Sequence, residues 1–234
     1  MSLILQTRVA SPSRSERGVV TFVVMLLALL LSAASMAESP VPKRTVLVVG
    51  DSLSAAYNLS KEQGWVHLLG EKLAQEHPGW SVVNASISGE TTAGGAARIE
   101  ADLKAHEPSV VIIELGANDG LRGLDLGQAR ANLTRMISAS QAAGAKVLLI
   151  GMHIPPNYGP DYTQAFHGMF AELAETHGTA LLPFLLEPIA TDREAFLPDN
   201  LHPTAEAQPR LLEHVWPQVH ALVKASGEDG RVLP

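Results

Sequence analysis

Short runs of apolar, β-branched residues alternate along the chain with longer segments in which apolar residues recur every three or four positions. The short runs predict strands that are buried on both faces, and the longer segments predict amphipathic helices. The predicted strands cover residues 45–49, 80–85, 109–115, 146–150 and part of 180–186. Pro183 cannot donate a hydrogen bond to a neighbouring strand, so the fifth strand is expected at an edge of the sheet.

Helices are predicted between these strands and after the last of them. They cover residues 64–77, 92–106, 126–143, 161–177 and 205–224. Pro217 lies inside the last segment and is expected to kink that helix or split it in two. Strands and helices alternate five times with short connections, which predicts one α/β domain with a parallel sheet covered by helices on both faces.

Residues 1–37 follow a different pattern. Three arginines precede an uncharged, mostly apolar run over 18–37, which ends with the small residues Ser35 and Ala37. This layout is typical of a secretory signal peptide, so the predicted mature protein is residues 38–234, periplasmic or secreted from a bacterium. The alternative is an uncleaved membrane anchor, since twenty residues are just long enough to cross a bilayer.

Composition and charge narrow the classes of function. The 234 residues include no cysteine, which excludes disulfide scaffolds, thiolate metal sites and thiol nucleophiles. The formal net charge of -7 and the lack of a long basic run argue against a nucleic-acid partner. The sequence lacks the glycine-rich phosphate-binding motifs and the His-Glu-x-x-His motif, which weakens a phosphoryl-transfer enzyme and a metal hydrolase as alternatives. We expect a monomer that needs no cofactor or metal and is not inserted in the membrane once the signal is removed.

Polar residues follow the first three predicted strands, at the sheet edge where parallel α/β sheets bind their ligands. Ser52 follows the first strand and is a candidate nucleophile, but a serine needs a base within hydrogen-bond reach. His202 is the best candidate base, because Asp199 lies three residues before it and can orient its ring. His153, after the fourth strand, is the rival base.

Donors for a negatively charged oxygen are present in the same segments. The backbone N–H groups of Ser52 and Gly89 and the side-chain amide of Asn118 predict an oxyanion hole. Each segment taken singly is an ordinary turn signal. Together, and in this order, they predict nucleophilic catalysis by a serine.

Four blocks of the sequence, which are Gly50–Ser54, Gly89, Gly116–Asp119 and Asp199–Pro203, resemble the SGNH-hydrolase (GDSL-esterase) family. Residues 84–95 and 155–159 resemble in particular its periplasmic thioesterase I, lysophospholipase and arylesterase group. The resemblance implies a flavodoxin-like, three-layer α/β/α fold with a five-stranded parallel sheet. It also implies metal-free hydrolysis through an acyl-serine intermediate. The expected substrates are aryl and medium-chain acyl esters, with acyl thioesters and lysophospholipids as further candidates.

The same resemblance assigns roles to the candidate residues. Ser52 would be the nucleophile, His202 the base and Asp199 the residue that orients it, with Ser52, Gly89 and Asn118 forming the oxyanion hole. One position departs from the commonest family pattern, since Asn200 stands where glycine is frequent. Asparagine tolerates the left-handed backbone conformation better than most residues, so we expect the turn to be retained.

Substrate binding is predicted after the fourth strand. Met152, Ile154, Pro155 and Tyr158, with Pro156 between them, are expected to form an apolar lip for acyl or aryl groups; the alternative is an ordinary surface loop. Two other functions stay open. One is a carbohydrate-ester deacetylase of the same family, and the other is a non-catalytic binding module.

Overall fold

The five strands form one parallel sheet in the order β2-β1-β3-β4-β5. The structure is a computed structural model that describes residues 44–228, so the predicted signal segment lies outside the described residues. The strands are β1 (Arg44–Gly50), β2 (Trp80–Asn84), β3 (Val110–Glu114), β4 (Lys146–Ile150) and β5 (Ala180–Leu182). This is the flavodoxin-like strand order, and β5 lies at an edge of the sheet as predicted.

Helices cover both faces of the sheet. They are α1 (Trp65–Glu76), α2 (Thr92–His106), α3 (Ala117–Leu121), α4 (Leu126–Ala142), α5 (Pro160–His177) and α6 (Gln208–Glu228). Helix α1 packs against α6, and α4 packs against both α2 and α5. The predicted three-layer α/β/α fold is confirmed. None of the helices in residues 44–228 combines the length and apolar character that a bilayer crossing requires.

The central strands are apolar because both of their faces are covered. All residues of β3 are buried, and in β1 the run from Val46 to Gly50 is buried as well. Strand β1 pairs with β2 on one side and with β3 on the other. The strand order therefore reverses at β1, because β2 is added on one side of it and β3 on the other. The segments that follow β1, β2 and β3 consequently lie side by side at one edge of the sheet.

Helix α6 differs from the predicted span of 205–224 at both ends, and it is continuous at Pro217. Residues 205–207 form a separate 3₁₀ turn, and the α-helix begins at Gln208. The helix then continues through Pro217 without being split. Proline removes one backbone hydrogen bond, but Val215 and Val219 beside it are fully buried, so packing of this face holds the helix together.

Helix α3 lies where the sequence indicates only a turn. Gly116 precedes it with a φ angle of 121°, a conformation that favours glycine. Buried Asp119 on this helix accepts hydrogen bonds from the backbone N–H and the hydroxyl of Thr92, at 2.9 and 2.6 Å. Thr92 is the first residue of α2, so the carboxylate joins the ends of two helices beside the sheet edge.

Candidate active site

Ser52 lies on a tight turn directly after β1. The Ala55 N–H donates to the carbonyl of Asp51 at 2.9 Å, and the Tyr57 N–H donates to that of Ser52 at 3.2 Å. The turn needs glycine at position 50, because a Cβ there would lie 2.8 Å from the Ser54 Cβ. The strand end and the turn together leave Ser52 half-buried, where its hydroxyl can meet another part of the chain.

His202 meets that hydroxyl from a segment 150 residues away in sequence. Its Nε2 lies 2.9 Å from the Ser52 Oγ, and its Nδ1 lies 2.8 Å from Asp199 Oδ2. An antiparallel bridge between Phe196 and Pro203 closes the base of the turn that carries both residues. The structure therefore brings Ser52, His202 and Asp199 into one line of hydrogen-bonding groups.

The turn also sets the ionisation of Asp199. Desolvation alone would raise the pKa of this carboxyl, but the backbone N–H groups of His202 and Leu201 and the His202 ring donate to it and lower its pKa to about 2. Asn200 has a φ angle of 59°, so it adopts the left-handed conformation expected of it. At neutral pH Asp199 is thus an anion that accepts the Nδ1–H of His202.

The three predicted oxyanion donors line the same cavity as the Ser52 hydroxyl. Gly89 has a φ angle of 80°, and Asn118 lies on α3, next to the end of β3. Within residues 44–228, the backbone N–H groups of Ser52 and Gly89 donate to no protein acceptor. These two N–H groups are therefore available to a bound oxygen.

The cavity in front of Ser52 has a volume of about 630 Å³. Of the predicted substrate-binding residues, Met152, Ile154 and Pro155 line it, whereas Tyr158 does not. The Tyr158 hydroxyl instead donates to the Leu121 carbonyl at 2.6 Å, so this ring braces α3 from outside the cavity. The remaining walls are mostly apolar and include Leu53, Phe184, Leu186, Ala190 and Phe196.

His153, the rival base, also lines the cavity but does not contact Ser52. Its ring stacks on Phe184 with centroids 4.2 Å apart, and its Nε2 lies 2.6 Å from that of His167. Burial and the nearby His167 lower the pKa of His153. His153 and Phe184 thus form part of the cavity wall, and His167, which holds the His153 ring, lies outside the lining.

Comparison with known proteins agrees with this geometry. A sequence profile of the GDSL-like lipase/acylhydrolase family matches residues 48–209. The chain belongs to this family. Esterase TesA of Pseudomonas aeruginosa is 51% identical over 180 residues, which are 77% of this chain and 90% of that protein. An arylesterase of Vibrio mimicus is 44% identical over 185 residues, covering 79% of this chain and 90% of that one.

A solved structure matches at the level of the fold and of the sequence. The psychrotrophic esterase EstA from Pseudoalteromonas sp., inhibited by monoethylphosphonate, is 41% identical and matches with a TM-score of 0.74. The match covers 77% of this chain and 99% of that one. The GDSL-family chain described here is therefore an acyl hydrolase by family membership.

Two buried carboxyl groups lie directly behind the site of this GDSL-family chain. Asp51 accepts from the Asn118 amide at 3.0 Å, and Glu114 accepts from the Ser54 hydroxyl at 2.8 Å and from the Asp51 N–H at 3.4 Å. Burial raises the pKa of Asp51 to about 6. Burial and then the charge of Asp51 raise the pKa of Glu114 well above its usual range.

Sequence reasoning missed two residues that contact the site. The Tyr57 ring packs on the His202 ring with centroids 4.3 Å apart, and it also lines the cavity. Arg122 donates to the Gly89 carbonyl and to the Asn118 side-chain oxygen. The spacing of four residues between Asn118 and Arg122 is the only sequence signal for the second contact, and it depends on the unpredicted helix α3.

Proposed function

We propose that this protein hydrolyses carboxylic esters through an acyl-enzyme intermediate on Ser52. The observation that carries the proposal is the line of contacts from Ser52 through His202 to Asp199, at 2.9 and 2.8 Å, at the wall of an apolar cavity. A serine, a base and an orienting carboxylate in contact are the parts that nucleophilic acyl transfer needs. A non-catalytic binding module does not explain why they meet at the cavity.

The proposed reaction has two halves. The Ser52 oxygen attacks the carbonyl carbon of the ester while His202 Nε2 takes the hydroxyl proton. Negative charge develops on the carbonyl oxygen, where the N–H groups of Ser52 and Gly89 and the Asn118 amide donate to it. The intermediate collapses as His202 gives its proton to the leaving alcohol. Water then attacks the acyl-serine by the same route and releases the carboxylic acid.

The walls of the cavity support esters with apolar acyl or aryl groups as substrates. Most of the lining side chains beyond the catalytic groups are aliphatic or aromatic. Such walls favour the binding of hydrocarbon acyl or aryl groups, because binding removes apolar surface from water. A carbohydrate ester instead needs polar groups in the cavity that pair with its hydroxyls. We therefore place aryl esters, medium-chain acyl esters and lysophospholipids ahead of sugar acetates. Thioesters with the same acyl groups fit the same cavity.

A fluorophosphonate probe tests the assignment of the nucleophile. The probe should label Ser52 in the wild-type protein, and Ser52→Ala should abolish both labelling and ester hydrolysis. Ser88→Ala is a matched control, because Ser88 is exposed in the same cavity without contacting His202. Labelling and turnover that persist in Ser52→Ala would disprove the acyl-serine mechanism.

Export of the enzyme and its oligomeric state are part of the proposal. Cleavage after Ala37 would leave a mature chain that begins at Glu38, and mass spectrometry of the protein secreted by a bacterial host measures that end directly. We expect the mature chain to be a monomer by sedimentation. A mature protein that retains residues 1–37 would favour the membrane-anchor alternative instead.

A further inference from the structure

One arginine joins two of the three proposed oxyanion donors. Arg122 directly follows helix α3 as its C-terminal cap, and its Nη2 lies 3.0 Å from the Gly89 carbonyl oxygen and 3.2 Å from Asn118 Oδ1. Gly89 belongs to the loop after β2, whereas Asn118 belongs to α3, after β3. A single guanidinium nitrogen therefore connects two separate segments of the sheet edge.

The contact with Asn118 fixes which end of the amide faces each neighbour. The amide has a donor end and an acceptor end of nearly the same shape. Arg122 can only donate, so it binds the oxygen, and Asp51 accepts from Nδ2 at 3.0 Å. A rotated amide would place NH₂ against the guanidinium and oxygen against the carboxylate. The two contacts thus hold the NH₂ group of Asn118 beside Asp51 at the cavity wall, where one N–H binds Asp51 and the second N–H is left to donate to an oxyanion.

The contact between Arg122 and Gly89 restricts the conformation of a residue that has no side chain of its own to make contacts. Glycine has more rotational freedom than any other residue, and here it adopts a φ angle of 80°. The hydrogen bond from Arg122 to the Gly89 carbonyl restricts rotation of this backbone on the side of the loop that faces α3. Among residues 44–228, no carboxylate lies within ion-pair distance of Arg122, so the positive charge beside both donors is not neutralised by an acid.

We propose that Arg122 is a positioning residue, which holds Gly89 and Asn118 in the geometry that binds the oxyanion. The proposal rests on the proposed ester hydrolysis. Because the oxyanion forms only in the transition state, loss of Arg122 should affect kcat more than KM. The expected change is smaller than removal of a donor itself, since both donors remain in the chain.

Kinetics of three variants test this role on a p-nitrophenyl ester. Arg122→Met should lower kcat about 10- to 100-fold with KM changed less than about threefold, and Arg122→Lys should restore part of the loss. Arg135→Met is the control, because Arg135 is an exposed arginine that pairs with Glu100 away from the cavity. Its kcat should equal that of the wild type. An unchanged kcat in Arg122→Met, or an equal loss in Arg135→Met, would overturn the proposal.

Two further measurements separate this proposal from the assignment of the nucleophile. The free energy of unfolding of Arg122→Met should equal that of the wild type, because the side chain is exposed. The affinity of Arg122→Met for a tetrahedral alkylphosphonate should fall in parallel with its kcat/KM. If Ser52→Ala remains active, the catalytic mechanism fails. If Ser52→Ala is inactive and Arg122→Met is fully active, only the role of Arg122 fails.

An independent cluster lies at the opposite, amino-terminal edge of the sheet. Glu76 ends α1, His77 follows it just before β2, and His220 lies on α6. His77 Nε2 and His220 Nδ1 are 3.1 Å apart, and one ligand atom from each of the three residues lies within 4.8 Å of the others. Two nitrogens bound to one tetrahedral zinc ion are about 3.3 Å apart, given bonds of about 2.0–2.1 Å.

We infer that Glu76, His77 and His220 can bind one zinc ion or a similar transition metal in place of the proton shared by the two rings. The ligand set of two imidazoles and a carboxylate suits such ions and leaves a position for water. The site joins α1 to α6, so metal should stabilise the packing of these helices. The nearby Lys224, whose charge acts on His77, opposes this binding.

Calorimetric titration of tag-free protein with zinc chloride tests the site. The wild type should bind one zinc ion with a rise in melting temperature, and His220→Asn should lower the affinity at least tenfold. His167→Asn is the matched control, since it removes a member of the other imidazole pair and should retain this binding event. An undiminished affinity in His220→Asn, or no binding to the wild type at millimolar zinc, would disprove the site.

Discussion

At the scale of single residues, the orientation of one imidazole depends on a four-residue turn. Asp199 accepts the N–H groups of Leu201 and His202 through one oxygen and faces the His202 ring with the other. The left-handed conformation of Asn200 closes this turn. The carboxylate therefore fixes both the backbone that carries the ring and the tautomer of the ring itself.

Replacing that carboxylate by an amide should preserve the shape of the turn but disturb the tautomer. We expect Asp199→Asn to lower kcat about 10³- to 10⁴-fold, because the amide NH₂ can stabilise the wrong protonation of His202. Steady-state hydrolysis of an aryl ester measures the loss. Asp192→Asn is the control, since Asp192 pairs with Arg210 away from the cavity. A loss below tenfold would show that Asp199 does not orient the base.

At the scale of secondary-structure elements, helix α2 ends in a conformation that its sequence does not favour. Glu107 caps the helix with φ and ψ angles of 42° and 54°, and its N–H donates to the Leu103 carbonyl. The left-handed conformation costs about 1–2 kcal/mol for a residue with a Cβ. Helices more often end in glycine at such a position. Strand β3 begins at Val110, so only three residues connect it to the end of the helix.

Glycine at this position should stabilise the protein. We expect Glu107→Gly to raise the free energy of unfolding by about 1 kcal/mol, because relief of the backbone strain exceeds the greater entropy of glycine in the unfolded chain. Urea denaturation measures the change. Glu107→Ala also removes the charge but keeps the Cβ, so it should gain no more than about 0.5 kcal/mol. Equal effects of the two variants would contradict strain as the cause.

At the scale of the whole molecule, the sheet buries two acids behind the turn that carries Ser52. Asp51 and Glu114 come from the ends of adjacent strands, and burial is the largest cause of the raised pKa of each. A carboxyl with a raised pKa in the folded state binds protons there that the unfolded chain has already lost. Their contribution to stability therefore falls as the pH rises from about 4, through the folded pKa values, toward neutrality.

Removing one of these charges should change the pH profile of stability. We expect the free energy of unfolding of Glu114→Gln, relative to the wild type, to increase by about 1 kcal/mol or more between pH 4.5 and pH 8. Chemical denaturation across this range measures it. Glu100→Gln, at an exposed ion pair, should show a difference that does not vary with pH in this way. A flat difference for Glu114→Gln would mean that Glu114 ionises as readily folded as unfolded.

The local pattern of apolar and polar residues was sufficient to predict most of the strands and helices. The apolar runs that became β1, β3 and β4 and the helical spacing of α1, α2, α4 and α5 are properties of neighbouring residues, and they were predicted to within one or two positions. Helix α3 was not, because five residues show no periodicity and their helix is held by contacts of Asp119 with Thr92. A split at Pro217, which was one of the two predicted outcomes, does not occur, because packing of the buried face outweighs one lost hydrogen bond.

The sequence by itself determined the alternation of strands and helices and the polar segments that follow the first three strands, because backbone preference and side-chain periodicity act over a few residues. Only the tertiary structure decided which of two histidines reaches Ser52, that Tyr158 faces away from the cavity, and that Arg122 reaches Gly89. Those contacts join segments between 33 and 150 residues apart. These contacts form because strand order and helix packing bring distant segments together, and the local pattern of residues carries no information about that order or packing.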